Sequence, residues 1–163
     1  MIKIAMVKFL ALLALTAGIA GCGPFGASAA PDAVFKTIGG ESISVADLRG
    51  KPALITFWAS NCPACLREMP DLIDLYRRYG GSKLNIVAVA MYYDPPNQVL
   101  NVVHEKRIPY AVALDPFNEL GKAFGNVELT PTTFLLDKSG RIVKRTNSPI
   151  ELAALQEQMA GLD

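Results

Sequence analysis

The sequence predicts an α/β fold, a three-layer sandwich, and three observations carry that expectation. Two nearly all-apolar runs, residues 53–58 and 84–91, have the length and composition of strands buried on both faces. Segments with helically spaced apolar residues follow them, as crossovers between parallel strands require. The chain then closes with a strand, a tight turn, a returning strand and an amphipathic helix, which adds an antiparallel hairpin to the sheet.

The elements follow in order. Residues 34–38 read as a short strand, Gly39-Gly40 as a turn and residues 42–44 as a second strand. Ser44 or Asp47 can cap a short helical turn that ends at Gly50. Residues 53–58 form the central strand. After Cys65, the apolar Leu66, Met69, Leu72, Ile73, Leu75 and Tyr76 recur at helical spacing, with Arg67, Glu68, Asp71, Asp74 and Arg77 between them. Pro70 is expected to kink this helix and Gly80-Gly81 to end it. After the strand at 84–91, Asp94-Pro95-Pro96 opens a second helix that runs to about Lys106. Residues 110–114 are a strand, and Asp115-Pro116 cap a short helix ending near Phe124. Pro131 precedes a strand at 132–136, Lys138-Ser139-Gly140 turn the chain, and residues 141–145 pair back. Pro149 starts a last helix carrying Ile150, Leu152, Leu155 and Met159.

A chain of 163 residues, 51% apolar and 19% charged, suits one domain with a packed core. The net charge of +1 excludes a nucleic-acid binder that works by neutralising phosphates. The N-terminus has its own character. Lys3 and Lys8 precede or open an apolar stretch at 9–20, and no acidic residue appears before Asp32. Twelve apolar residues are too few to span a bilayer comfortably but match a signal-peptide core. The stretch ends Ile19-Ala20-Gly21-Cys22, which resembles the bacterial lipobox, where the cysteine becomes the lipid-bearing N-terminus. An uncleaved anchor helix and a chance cysteine are the alternatives. Gly23 after the cysteine resembles Gram-negative sorting signals for the outer membrane. The chain thus divides into a leader at 1–21, a flexible tether at 22–32 rich in Gly, Ala, Ser and Pro, and a domain at 33–163. Lipid at Cys22 would hold the protein at a membrane surface without a spanning helix. The mature chain keeps 14 basic and 15 acidic side chains, a net charge of −1, and faces a compartment where disulfides persist.

Within the domain, the chemistry concentrates at Cys62-Pro63-Ala64-Cys65, set between strand and helix. Three residues along a helix is about one turn, so the two sulfurs can meet if Cys62 occupies the cap. Pro63 then falls at the first helical position, where a missing N–H costs nothing. The helix N-terminus favours thiolate at Cys62, while Cys65, one turn in, stays buried and thiol-like. Cys62 would attack a disulfide and Cys65 would resolve the mixed disulfide. A purely structural bridge would close too short a loop to contribute much stability. A zinc site would need Cys22 and His104 to complete four ligands, and neither lies near.

Around that motif, Phe57-Trp58-Ala59-Ser60, Arg67-Glu68-Met69-Pro70, Leu114-Asp115-Pro116, residues 129–137 and Ser139-Gly140-Arg141-Ile142-Val143 together resemble the TlpA/ResA-like extracytoplasmic thiol–disulfide oxidoreductases of the thioredoxin superfamily. The resemblance runs from about Ala33 to the C-terminus. It implies a thioredoxin-like fold with a central mixed sheet, an N-terminal β-hairpin extension and a central αβ insertion at about 94–114. It also implies that Pro131 is cis beside Cys62, with the Thr130 backbone binding an extended substrate; an ordinary strand-edge proline is the alternative. Two positions depart from thioredoxin. Asn61 stands where a Trp usually precedes the first cysteine, and Thr56 stands where thioredoxin has a buried, proton-accepting Asp. Glu68, three residues past Cys65, is a candidate for tuning the site, or else a solvated or ion-paired helix residue. Trp58 reads as support beneath the site, His104 as a surface histidine, and Tyr92-Tyr93 as core or rim packing.

The expected function is a reductase of protein disulfides, as in cytochrome c maturation or copper-site assembly, recharged by a membrane electron donor. A disulfide-donating oxidase shares the same chemistry. A copper-binding chaperone on this fold is a third reading, though relatives of that kind use C-x-x-x-C. A peroxidase is disfavoured because Cys65 reads as a resolving partner. The dithiol itself carries the electrons, so no cofactor or metal is expected. The partners are proteins with disulfides or thiols, with no nucleic acid, and the chain is expected to work as a monomer.

Overall fold

A computed structural model describes residues 27–160; the leader at 1–21, Cys22 and the first part of the tether lie outside the described residues. The elements are β1 (Ser28–Ala29), β2 (Val34–Lys36), β3 (Ser42–Ser44), β4 (Ala53–Trp58), α1 (Pro63–Tyr79), β5 (Asn85–Ala90), α2 (Pro96–Lys106), β6 (Ala111–Leu114), α3 (Glu119–Ala123), β7 (Thr132–Leu136), β8 (Arg141–Thr146) and α4 (Leu152–Ala160). A 3-10 turn, Ala46–Leu48, lies before β4.

The sheet has the order β1-β8-β7-β4-β5-β6. β4, β5 and β6 run parallel, and β7 lies antiparallel to β4 and to β8. β2 and β3 make the expected separate hairpin. Its turn lies on the free edge of β6, where Thr37 bridges Ala113 and the Ile38 N–H donates to the Val112 carbonyl at 2.8 Å. That contact covers an edge strand that would otherwise invite pairing.

Alternation along each strand splits the core between the two faces. Leu54 and Trp58 of β4, with Ile86, Ala88 and Ala90 of β5, pack under α1, α2 and Leu155 of α4. Ala53, Ile55 and Phe57, with Val87 and Val89, face the hairpin and α3. On that second face, the Phe124 ring lies 5.1 Å from Phe134, 5.6 Å from Phe57 and 6.2 Å from Phe35 between centroids. The three layers expected from the sequence are present.

Local chemistry fixes the boundaries. Ser44 and Asp47 act together rather than as alternatives: the Ser44 N–H and Oγ donate to Asp47 Oδ2, and the Asp47 N–H donates back to Ser44 Oγ. Asp115 caps α3 from upstream, its carboxylate accepting the N–H groups of Glu119, Leu120 and Gly121 at 2.8, 3.1 and 2.8 Å. Helix α1 continues through Pro70, which sits on its exposed side. Two expectations need correction. Ser28–Ala29, placed in the tether, pair with Ile142 and Arg141 as an edge strand, so the ordered chain begins before Ala33. The last helix opens at Leu152, not Pro149: a helical bond runs from the Leu155 N–H to the Glu151 carbonyl, while the Ile150 N–H, upstream of it, is held by a side chain of α1.

Candidate active site

The parallel strands end at one edge of the sheet, and the cysteines lie there. β4 delivers the chain to a turn closed by the Cys62 N–H donating to the Ala59 carbonyl at 3.1 Å. Cys62 has extended backbone (φ −91°, ψ 106°) and is the N-cap of α1, with Pro63 at its first position. The Cys65 N–H donates to Cys62 Sγ at 3.2 Å. A helix-terminal donor thus points at the sulfur that would carry negative charge. Cys62 and Cys65 are joined as a disulfide with Cα atoms 5.3 Å apart. Cys62 is the more accessible at 8% exposure against 2% for Cys65.

The register Phe57–Thr132 brings the start of β7 level with the end of β4. It places the Thr130 carbonyl oxygen 3.5 Å from Cys62 Sγ. The Thr130–Pro131 bond is cis. The sequence-named residues Cys62, Cys65, Thr130 and Pro131 therefore meet across two elements far apart in the chain.

Glu68 lies one turn beyond Cys65 on α1 and is buried, at 5% exposure. It is not the solvated helix residue that was one of its two readings. Its Oε2 accepts the Ile150 N–H at 3.0 Å. Burial pushes its carboxyl up to about 7; the Ile150 N–H opposes that shift and the Asp71 charge adds to it. Burial likewise pushes the Tyr110 phenol up, and the charge of Glu68 adds to that shift. Thr56, at the position of thioredoxin's Asp, accepts the Thr133 hydroxyl at 2.9 Å across β4 and β7.

Trp58 is buried beneath the loop, and its Nε1 has no hydrogen-bond partner among the described residues. Ala64 is half-buried, while Pro63 and Asn61 are exposed beside Cys62. His104 is exposed on α2. Tyr92 and Tyr93 do not pack into the core: they are 51% and 47% exposed and meet edge to face at 5.3 Å. They occupy the corner of a tight turn, and its hydrogen bond leaves both rings outside.

One residue of the site escaped the sequence reading. Asp94 was placed at the opening of α2, but Pro95 is the N-cap there and no side chain caps it. The buried Asp94 carboxylate reaches the active-site loop instead, accepting the Ser60 N–H at 2.6 Å and the Ser60 hydroxyl at 2.5 Å. Its only sequence signal was an Asp before two prolines, which reads equally as a helix start. A cavity of about 550 Å³ lies elsewhere, between the sheet and α4, and neither cysteine lines it. Among the described residues, no three His, Cys, Asp or Glu side chains gather as a metal site would require.

A dithiol that closes across one helical turn, with one sulfur accessible and the other shielded, exchanges electron pairs with other disulfides. On this sheet and helix arrangement, that defines the thioredoxin-fold thiol–disulfide oxidoreductases. The chain belongs to the Redoxin family, which it matches over residues 26–158. It is 30% identical over 130 residues to thiol-disulfide oxidoreductase ResA of Bacillus thuringiensis subsp. konkukian, covering 80% of this chain and 74% of that protein. It is also 30% identical over 126 residues to sporulation thiol-disulfide oxidoreductase A of Bacillus subtilis, covering 76% and 75%. Its fold matches a thiol:disulfide interchange protein of the thioredoxin family from Chlorobium tepidum with a TM-score of 0.76 at 26% identity, covering 86% of this chain and 99% of that one.

Proposed function

We propose that the protein is an extracytoplasmic reductase of protein disulfides. In this reading the Cys62 thiolate attacks one sulfur of a substrate disulfide, and the other substrate sulfur leaves as thiolate and takes up a proton. Cys65 then gives up its proton and attacks Cys62, releasing the second substrate thiol. The Cys62–Cys65 disulfide keeps the two electron equivalents' worth of oxidation until a membrane electron donor reduces it. No further cofactor or metal is needed. The Thr130 carbonyl beside Cys62 offers the backbone of an incoming extended segment an acceptor, with Pro131 holding that position.

The observation that carries the direction is the burial of Glu68 one helical turn past Cys65. A carboxylate there disfavours thiolate in the reduced pair, which makes the dithiol a better electron donor. The same carboxylate, titrating near neutrality, is also suited to take the proton that Cys65 must lose. The uncharged Pro63-Ala64 pair adds no cation to oppose this. Cytochrome c maturation and copper-site assembly are the processes this chemistry would serve. A Cys65→Ser variant expressed in cells is expected to trap substrate proteins as mixed disulfides through Cys62; a variant that traps none contradicts the reading.

The leader at 1–21 and Cys22 support a lipid-anchored, periplasm-facing protein, with Gly23 pointing to the outer membrane. A Cys22→Ser variant is expected in the soluble fraction, and its retention with membranes contradicts the anchor.

A further inference from the structure

Four large apolar side chains that the redox chemistry does not use lie at the edge of the sheet that carries Cys62. Tyr92, Tyr93, Phe117 and Leu129 are 51%, 47%, 76% and 62% exposed. Their placement follows from topology. The Met91 N–H donates to the Trp58 carbonyl and the Asp115 N–H to the Ala90 carbonyl, so the segments leaving β4, β5 and β6 lie level. Leu129 enters β7 at the same end. Strands β7, β4, β5 and β6 are adjacent, so these residues line up on both sides of Cys62 over roughly 15 Å.

The residues that present the rings are unusual choices for their backbone. The Asp94 N–H donates to the Met91 carbonyl at 2.9 Å, which puts Tyr92 and Tyr93 at the two corners of a β-turn. The Asn118 N–H donates to the Asp115 carbonyl at 3.0 Å, which puts Pro116 and Phe117 at the corners of another. Turn corners ordinarily hold Gly, Pro, Asn, Asp or Ser, and an aromatic ring there gains nothing from the core. Each turn is also locked by a buried aspartate: Asp94 on Ser60, Asp115 on the first turn of α3. Leu129 is held in the same way, its carbonyl accepting the hydroxyl of buried Thr132 at 2.7 Å. Exposed rings on fixed supports are what a binding surface needs, because little freedom is lost when they are covered.

We propose that Tyr92, Tyr93, Phe117 and Leu129 form a docking rim that selects extended, apolar or aromatic segments flanking the cysteine of a protein substrate. The inference rests on the redox reading of Cys62. That reading already requires a polypeptide sulfur at Cys62, between the two ends of the rim, and only an extended chain reaches both sides of it at once. About five residues at 3.3 Å each span the row. None of the four side chains carries a charge, so an anionic lipid surface would gain no ion pair from them.

The test uses the reduced full-length protein and three disulfides: oxidised glutathione, and two peptides of one length whose single cysteine is disulfide-linked to glutathione, flanked by Phe and Leu in one and by Ser and Gly in the other. The readout is the ratio of the rate with the apolar peptide to the rate with oxidised glutathione. The wild type is expected to prefer the apolar peptide over the polar one. The Tyr92→Ser/Phe117→Ser variant is expected to lower the ratio about ten-fold, the size of a lost aromatic contact. Leu100→Ser, which removes an exposed apolar residue of α2 that is not part of the rim, keeps the ratio of the wild type. An unchanged ratio in the double variant overturns the proposal, as does an equal fall in Leu100→Ser. A protein that is dimeric in solution and that the double variant makes monomeric assigns the rim to a second copy and also overturns it. Failure of the wild type to reduce oxidised glutathione would instead sink the redox reading.

Discussion

The Thr130 carbonyl oxygen lies 3.5 Å from Cys62 Sγ although 68 residues separate them. This contact joins the two halves of the site, and only the antiparallel pairing of β7 with β4 brings it about. The same sulfur accepts the Cys65 N–H. Cys62 is therefore the sulfur that meets both the segment entering β7 and the helix terminus, and Cys65 is the sulfur shielded behind it.

That asymmetry sets the reactivity of the reduced protein. Cys62 is expected to react with iodoacetamide at least ten-fold faster than Cys65 at pH 7, with a thiol that titrates below the usual 8.5 or so. Mass mapping of the alkylated peptides reads the order. Equal labelling, or Cys65 first, contradicts the assigned roles.

Glu68 gives the protein a pH signature. Burial raises its carboxyl from 4.5 to about 7. The folded state then binds a proton more tightly than the unfolded chain, so this group's effect is to make stability fall as pH rises from about 4.5 through 7. The cost is complete above that window and absent below it. Glu68→Gln is expected to gain up to about 3 kcal/mol over the parent at pH 8 and nothing at pH 4, measured by urea unfolding. Parallel pH profiles for the two proteins would remove Glu68 from the account. The same variant is expected to shift the reduction potential upward at pH 8, which a purely structural role would not do.

Asp94 holds the active-site loop to the segment that follows β5. Both of its oxygens accept from Ser60, and the residue is buried. Asp94→Ala leaves the Ser60 amide without its partner and is expected to cost about 1–3 kcal/mol. Hydrogen exchange at that amide is expected to accelerate well beyond the change at amides of β5. Exchange at the wild-type rate would mean that the contact does not hold the loop.

Two phenylalanines separate core from surface. Phe57 is fully buried among Phe124 and Phe134, whereas Phe117 is 76% exposed. Phe57→Ala is expected to lose about 3–5 kcal/mol of stability and Phe117→Ser less than about 0.5. Chemical denaturation compares them directly, and a similar loss from both would place Phe117 in the core.

Much of the fold was legible because strand and helix periods switch cleanly in this sequence. Residues 53–58 and 84–91 can be little else than buried strands, and Cys62-Pro63 announces a helix start by the chemistry of its first turn. The chemistry of the dithiol was legible for the same reason: both sulfurs lie within one turn. Contacts made across the sheet were not. Asp94 looked like a helix cap because nothing local shows that its carboxylate turns toward Ser60, 34 residues away. The short edge strand at Ser28–Ala29 was missed because two small residues carry no alternation, and its pairing depends on β8. Glu68 was visible as a candidate, but its burial required knowing that Ile150 closes over it. Tyr92 and Tyr93 read as core or rim packing, and nothing local decides between the two; the turn that leaves them on the rim is set by the Asp94 amide.

The most direct test of the account is the equilibrium reduction potential of the Cys62–Cys65 pair, titrated against glutathione or a stronger thiol buffer and read by mass. A reductase of protein disulfides is expected near −270 mV or below, in the range of thioredoxin. A value near −120 mV, that of the strong oxidants, would contradict it and make the protein a donor of disulfides.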